Sequence, residues 1–271
     1  MIQLVASDLD GTLLLNGSQS LEPEVFEYIR QLQKQNILFV AASGRQYDNM
    51  ARLFGPVKDD IVYICENGSI VFYHDKVIHK SIMDRALGQE MLHAIMEKDT
   101  AEVLLSGEHT SYLQPKQAAY EHRMTNIVKN NVTVVEDIMA VQEAYMKISV
   151  YEAAGIEESM SYWKERFGER ANVVTSGNEW LDMMPKGVNK GMALIKIMEQ
   201  FNIKPENTIA FGDQYNDLEM LEEVAYGYAM ETAHPYVKSQ CKYHTRRVQD
   251  VLRKIISKEN DFFQVHQGIF E

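Results

Sequence analysis

Apolar residues in this chain come in short runs, and several of those runs stop on an acid, a hydroxyl or a glycine. Ile2 to Ser7 is one such run, ending at acidic residues and Gly11, which is the pattern of a buried strand entering a turn. Pro23 to Gln35 follows with Val25, Ile29 and Leu32 at helical spacing. Ile37 to Ala42 reads as a second buried strand that stops at Ser43-Gly44. Arg45 to Phe54 reads as a helix, and Ile61 to Cys65 as a third strand stopping at Glu66-Asn67-Gly68. Strand and helix in alternation predict a parallel sheet with crossover helices.

The texture then changes. Ser69 to Lys80 reads as a hairpin turning at Tyr73-His74-Asp75-Lys76. From about Met83 to Lys186, short alternating segments (Val103 to Leu105, Val132 to Val135, Lys147 to Tyr151, Trp180 to Met184) mix with helical ones (Ala86 to Lys98, Gly155 to Phe167). After Pro185-Lys186-Gly187 the first pattern returns. Asn189 to Phe201 is helical with Asn189 as its cap, and Thr208 to Phe211 is a buried strand ending at Gly212-Asp213. Asp217 to Glu223 is a further helix and Val224 to Ala229 a further strand. The expectation is an α/β core of residues 1–82 and 187–271, interrupted by an α+β domain of residues 83–186.

Composition narrows the function classes. No apolar run is long enough to span a bilayer, and Met1-Ile2-Gln3-Leu4-Val5 has no basic segment before its apolar stretch. Two cysteines, Cys65 and Cys241, give no disulfide framework, so a reduced cytoplasm is expected. The net charge of −12 disfavours unspecific nucleic-acid binding. It also means that an anionic substrate needs a metal or a few placed cations. Arg246-Arg247 with Arg253-Lys254 is expected on the solvated face of a C-terminal helix.

In open parallel sheets ligands bind beyond the carboxyl ends of the strands, which directs attention to the polar residues there. Asp8 and Asp10 lie on the same side of a strand end and repel unless a cation joins them. Magnesium suits such oxygen ligands. The plain alternative is a capping pair before a glycine turn. Gly212-Asp213-Gln214-Tyr215-Asn216-Asp217 puts a second acidic cluster after a strand and before a helix. Capping explains Asn216 and Asp217, but not why Asp213 sits at a strand end as Asp8 does. Ser43-Gly44-Arg45 offers a hydroxyl and free amides that can hold a phosphate, or a simple cap. Lys190 starts a helix, where a cation is mildly unfavourable, so a Lys aimed at an anion is the natural alternative.

These segments together resemble the haloacid dehalogenase-like hydrolases, specifically the Cof-type phosphatases. Asp8-Leu9-Asp10-Gly11-Thr12-Leu13-Leu14 resembles the first motif, Ser43-Gly44-Arg45 the second, Lys190 within Pro185 to Gly191 the third, and Gly212 to Asp217 with Met220-Leu221 the fourth. Glu66-Asn67-Gly68 and Ala229-Met230 with Ala233-His234-Pro235 are similar to further family segments. The resemblance implies a Rossmann-like core with an inserted cap. It implies Asp8 as nucleophile and Asp10 as acid and base, with Mg²⁺ held by Asp8, Asp10 through its backbone carbonyl, and Asp213. Ser43 and Lys190 would hold the phosphoryl oxygens, beside Gly44, Arg45 and Asn67. Asn216 would position the phosphate or Asp213, and Asp217 would orient Lys190 and the waters of the metal.

Two segments depart from the family's pattern: Glu231-Thr232 after Ala-Met, and Tyr243-His244-Thr245-Arg246-Arg247-Val248 near the end of the chain. The expected activity is Mg²⁺-dependent hydrolysis of a small phosphorylated metabolite, either a sugar phosphate or a phosphorylated cofactor. A phosphomutase, or a non-catalytic binding protein, is the alternative. Tyr120, His122 and Arg123 are candidate cap contacts to substrate, or simply an exposed polar helix face. Nothing in the chain reads out an oligomeric state.

Overall fold

The computed structural model describes residues 1–258. The chain opens with β1 (Leu4–Asp8), α1 (Pro23–Lys34), β2 (Leu38–Ala42), α2 (Tyr47–Leu53) and β3 (Val62–Cys65). The hairpin β4 (Ile70–Tyr73) and β5 (Lys76–Lys80) follows, its turn made by His74 and Asp75 at φ 50° and 57°. Two consecutive positive φ values match the right-handed twist of the flanking strands.

The middle of the chain forms α3 (Arg85–Glu97), β6 (Glu102–Ser106), β7 (Ser111–Leu113), α4 (Ala118–His122), β8 (Val132–Val134), β9 (Lys147–Tyr151), α5 (Met160–Phe167), β10 (Ala171–Thr175) and β11 (Trp180–Pro185). The last third forms α6 (Lys190–Phe201), β12 (Thr208–Gly212), α7 (Leu218–Glu222), β13 (Tyr226–Met230), α8 (Pro235–Gln240), β14 (Tyr243–Thr245) and α9 (Val248–Ser257).

Two sheets result. The first has eight strands in the order β14-β13-β12-β1-β2-β3-β4-β5, parallel from β14 to β3 and antiparallel at the β4 and β5 edge. The second has six strands, β10-β11-β9-β6-β7-β8, antiparallel apart from the β7–β8 pair. Each sheet has its own core. Val5, Phe39, Ile64 and Phe211 pack with Val25 and Ile29 of α1 and Leu252 of α9 in the first. Met91 and Ile95 of α3, Ile148, Val150, Trp163 and Phe167 pack in the second.

The order of the first sheet positions the site. From β1 the chain steps through β2 and β3 to one side, builds the second sheet, and returns to β12 on the other side of β1. The direction of winding therefore reverses between β1 and β12, and a crevice opens beyond their carboxyl ends. Asp8 ends β1 and Asp213 follows β12.

Some local expectations shift. The helix expected from Gly155 starts only at Met160. β14 is a three-residue strand beyond the expected elements. Arg246 and Arg247 precede α9, where a solvated helix face was expected. Arg247 is instead held by Glu22 and Glu24 at the start of α1, which ties the last helix to the first. Among the described residues no helix is long and apolar enough to cross a membrane. Cys65 is buried, Cys241 is half-buried, and neither is in a disulfide.

Candidate active site

Asp8 is the last residue of β1 and is buried. Its Oδ1 accepts from the Lys190 ammonium at 2.6 Å, and the same ammonium donates to Asp217 Oδ1 at 2.6 Å. Lys190 comes from the first turn of α6, where Asn189 caps the helix by accepting from the Met192 N–H at 2.7 Å. A helix start is a poor place for a cation, and two carboxylates offset this. Burial on its own would lower the Lys190 pKa, but Asp217 and Asp8 outweigh it and the pKa is raised.

Asp217 is fully buried and fully engaged. Its Oδ2 accepts from the backbone N–H groups of Asp213 and Gln214 at 2.9 and 3.0 Å, which fixes the loop that carries Asp213. Asp213 accepts from the Thr12 hydroxyl at 3.2 Å. Its carboxylate lies where a Cβ on Gly11 would stand, 2.2 Å from Asp213 Oδ2, and Gly11 is at φ +91°. Only glycine meets both demands.

Lys190 compensates the charge of this group only in part. Asp8 is pushed well above the usual carboxylate range by burial and by the charge of Asp217, against the opposing pull of Lys190. Asp213 is pushed up to about 6 by burial and then by Asp217. Asp8 Oδ2 is buried with no hydrogen-bond partner. Asp8, Asp213 and Asp217 each offer one oxygen, all within 4.8 Å of one another. An orphaned carboxylate oxygen among hard oxygen donors is what a magnesium ion would satisfy. Of the three, only Asp8 has an oxygen without a partner; the Asp213 oxygens accept long bonds from Thr12 at 3.2 Å and Gln214 at 3.4 Å, whereas Asp217 is held by Lys190 at 2.6 Å and by two backbone N–H groups.

Asp10 points elsewhere. Its carboxylate is exposed and meets Arg45 in a two-pronged pair, Nε to Oδ2 at 2.8 Å and an Nη to Oδ1 at 2.5 Å. Arg45 also donates to Asn49 Oδ1 at 3.1 Å. The buried Ser43 accepts from the Arg45 N–H at 3.2 Å. The Gly44 carbonyl accepts from Lys147 at 2.9 Å.

Asn67 and Asn216 meet each other. Asn216 donates to Asn67 Oδ1 at 3.0 Å, and Asn67 donates to Asp182 Oδ2 at 2.6 Å. Asn67 is buried with both ends of its amide engaged, so it braces the site from behind, while Asn216 lines the crevice.

The crevice has a volume of about 720 Å³. Asp8, Asp10, Ser43, Gly44, Arg45 and Asp213 line its first-sheet side, and Leu104, Met124, Val128 and Trp180 supply an apolar wall from the second. Tyr120 and Arg123, named above as cap candidates, are committed elsewhere. Tyr120 is buried and donates to the Val103 carbonyl at 3.1 Å, and Arg123 pairs with Glu179 at 2.6 Å. His122 is likewise absent from the lining, and Met124 and Val128 take the place expected for these three.

Lys147 and Asp182, absent from the residues expected above, are two buried charges that also line the crevice. A signal existed. Lys147 sits between Met146 and Ile148, and Asp182 between Leu181 and Met183, and a charge inside an apolar strand needs a buried partner.

Residues 5–254 match the family described as haloacid dehalogenase-like hydrolase. The chain is 24% identical over 269 residues to the 5-amino-6-(5-phospho-D-ribitylamino)uracil phosphatase YbjI of Escherichia coli K12, covering 97% of this chain and 99% of the relative. It is 28% identical to the HMP-PP phosphatase of Citrobacter koseri, covering 87% of this chain and 86% of the relative. Among solved structures, SMU.1108c from Streptococcus mutans UA159 superposes with a TM-score of 0.86 at 28% identity, over 95% of this chain and 100% of that one. A haloacid dehalogenase-like hydrolase from B. subtilis superposes with a TM-score of 0.80 at 21% identity, over 95% and 100%, and shows the shared fold.

Proposed function

The chain belongs to the haloacid dehalogenase-like hydrolases and is a phosphatase, and from that premise we propose that it hydrolyses a small phosphorylated metabolite in a Mg²⁺-dependent reaction through Asp8. The observation that carries this reading is Asp8 itself: a buried carboxylate with one oxygen on Lys190 and the other without a partner, beside Asp213. Residues 1–82 and 187–258 are taken as the catalytic core and 83–186 as the cap over it; the expected core also included residues 259–271, which lie outside the described residues.

In the first step an Asp8 oxygen attacks phosphorus, the bond from phosphorus to the leaving oxygen breaks, and Asp10 gives that oxygen a proton. In the second step Asp10 takes a proton from water, the hydroxide attacks phosphorus, and orthophosphate leaves as the Asp8 carboxylate is restored. The Ser43 hydroxyl, the amides around Gly44 and the Lys190 ammonium hold the phosphoryl oxygens while charge moves among them. Asp217 keeps Lys190 in place, and Arg45 keeps the Asp10 carboxylate from wandering. When bound by Asp8, the Asp10 carbonyl and Asp213, Mg²⁺ supplies positive charge that offsets repulsion between the anionic nucleophile and the anionic phosphate.

The two named relatives act on a phosphorylated ribitylaminouracil and on HMP-PP. A leaving group of that kind, a sugar-like or cofactor-like body on an apolar wall, suits the crevice. A screen of phosphorylated metabolites with Mg²⁺, scored by kcat/KM for orthophosphate release, tests the reading. Steady release from at least one metabolite is expected. Interconversion of isomers without release would replace the phosphatase with a phosphomutase, and retention without turnover would leave only a binding protein.

A further inference from the structure

Three buried charges that line the crevice, Lys147, Glu66 and Asp182, are not used in the steps above. Lys147, the first residue of β9 on the second sheet, is 3% exposed. Its ammonium lies 2.7 Å from Glu66 Oε2, 2.9 Å from the Gly44 carbonyl and 3.4 Å from Asp182 Oδ2. An ammonium has three donors, and three oxygens surround this one. Two of them belong to the first sheet's loops and one to the second sheet. Glu66 and Asp182 are themselves buried, at 4% and 1%.

Resting on the phosphatase reading, in which Ser43 and Gly44 cradle the phosphate, we propose that Lys147 is a positioning residue. It fixes the Ser43-Gly44-Arg45 segment from across the crevice, so the cradle is complete only when the second sheet sits on the first.

Three observations support this beyond the distances. Gly44 lies between Ser43 and Arg45, so a bond to its carbonyl orients the peptide whose neighbours face the phosphate. The carboxylates of Glu66 and Asp182 converge on one ammonium although they come from opposite sheets, and a buried lysine is tolerated only with such pairing. Lifting the second sheet would strip Lys147 of Glu66 and Gly44 together. Finally, Asp182 continues the contact: it accepts from Asn67 at 2.6 Å, and Asn67 accepts from Asn216 at 3.0 Å. Asn216 lies on the loop between Asp213 and Asp217. The same junction therefore touches the ends of β2, β3 and β12.

The test compares Lys147→Met and Lys147→Arg with the wild type, by steady-state kinetics on p-nitrophenyl phosphate and on the best metabolite, and by hydrogen–deuterium exchange of residues 43–46. Lys147→Met is expected to lower kcat about tenfold or more on both substrates while KM changes less than about threefold. Lys147→Arg is expected to recover part of kcat. Amides of residues 43–46 are expected to exchange faster in Lys147→Met while β1 and β12 keep their protection. A raised KM with kcat intact would make Lys147 a leaving-group contact and overturn the proposal. Lower stability with unchanged kinetics would make it a structural pin and overturn it equally. Should Lys147→Met not fold, the double variant Lys147→Gln with Glu66→Gln removes both charges, and the same loss of kcat is expected. A wild type that releases no phosphate from any substrate would sink the phosphatase reading, and the exchange comparison would still decide the role of Lys147.

Discussion

Asp10 and Arg45 face each other at the crevice as a two-pronged ion pair, although they come from the loops after different strands. The guanidinium fork matches a carboxylate in a way that a lysine ammonium does not. Arg45→Lys keeps the charge and loses the fork. If Asp10 is the proton carrier, this variant should lower kcat roughly 10- to 100-fold with a smaller change in KM. Steady-state kinetics on a cap-independent substrate such as acetyl phosphate would check it, and an unchanged kcat would separate Arg45 from the reaction.

Replacing Asp8 with Asn keeps the side chain's shape and its acceptor toward Lys190. Turnover of p-nitrophenyl phosphate should fall roughly 10³-fold or more while circular dichroism shows a folded protein. Undiminished turnover in the folded variant would remove Asp8 as the nucleophile.

The carboxylates couple stability to pH and to metal. Asp213 titrates at about 6 in the folded protein against 3.8 for a free side chain, so between those values the folded state binds more protons than the unfolded one. Stability of the metal-free protein from this group therefore falls as pH rises through that window, and the cost persists above it. A cation binds the deprotonated form. The rise in Tm on adding Mg²⁺ should be larger at about pH 7.5 than at about pH 5. Thermal unfolding at both pH values, with and without Mg²⁺, reads this directly, and an equal rise at both would exclude these carboxylates as the ligands.

Gly68 offers a test of how the site is held. It is at φ +101°, and a Cβ there would stand 2.2 Å from the Asn189 carbonyl, the backbone that starts α6 and carries Lys190. Gly68→Ala should lower stability by roughly 2–3 kcal/mol, seen as a lower urea midpoint, because both the backbone and the neighbouring chain must shift. Gly17→Ala is the control: φ is +71° with nothing within 4 Å, so only the backbone cost, about 1 kcal/mol, applies. Equal losses in the two variants would mean that the contact with Asn189 carries no strain.

Much of this could be read in the sequence because it depends on local pattern. Apolar runs of four to six residues ending on Asp8, Ser43, Asn67 and Asp213 announce strands whose carboxyl ends share one crevice. Lys190 stood out because a helix start is the wrong place for a cation unless anions face it. What sequence could not supply was pairing at long range. Lys147 and Asp182 meet across neighbouring strands of the second sheet, and Glu66, far away in sequence, joins them only where the two sheets come together. The Asn67–Asn216 bond, across 149 positions, is of the same kind. Cap contacts failed for a related reason. Tyr120 and Arg123 are polar but held by Val103 and Glu179, and the residues of that segment facing the crevice are Met124 and Val128, whose side chains carry no chemical signal.

The strand order also sets a schedule for biosynthesis. As the chain leaves the ribosome, β1 gains β2 as soon as Ala42 has emerged, but its other neighbour, β12, starts only at Thr208. Throughout that interval the central strand of the future sheet has a bare edge of unpaired amides and carbonyls, the kind that recruits other chains. The second sheet has a separate core of its own and supplies no strand to that edge. The Asp8–Asp213 centre therefore cannot close until the last third of the chain has been made.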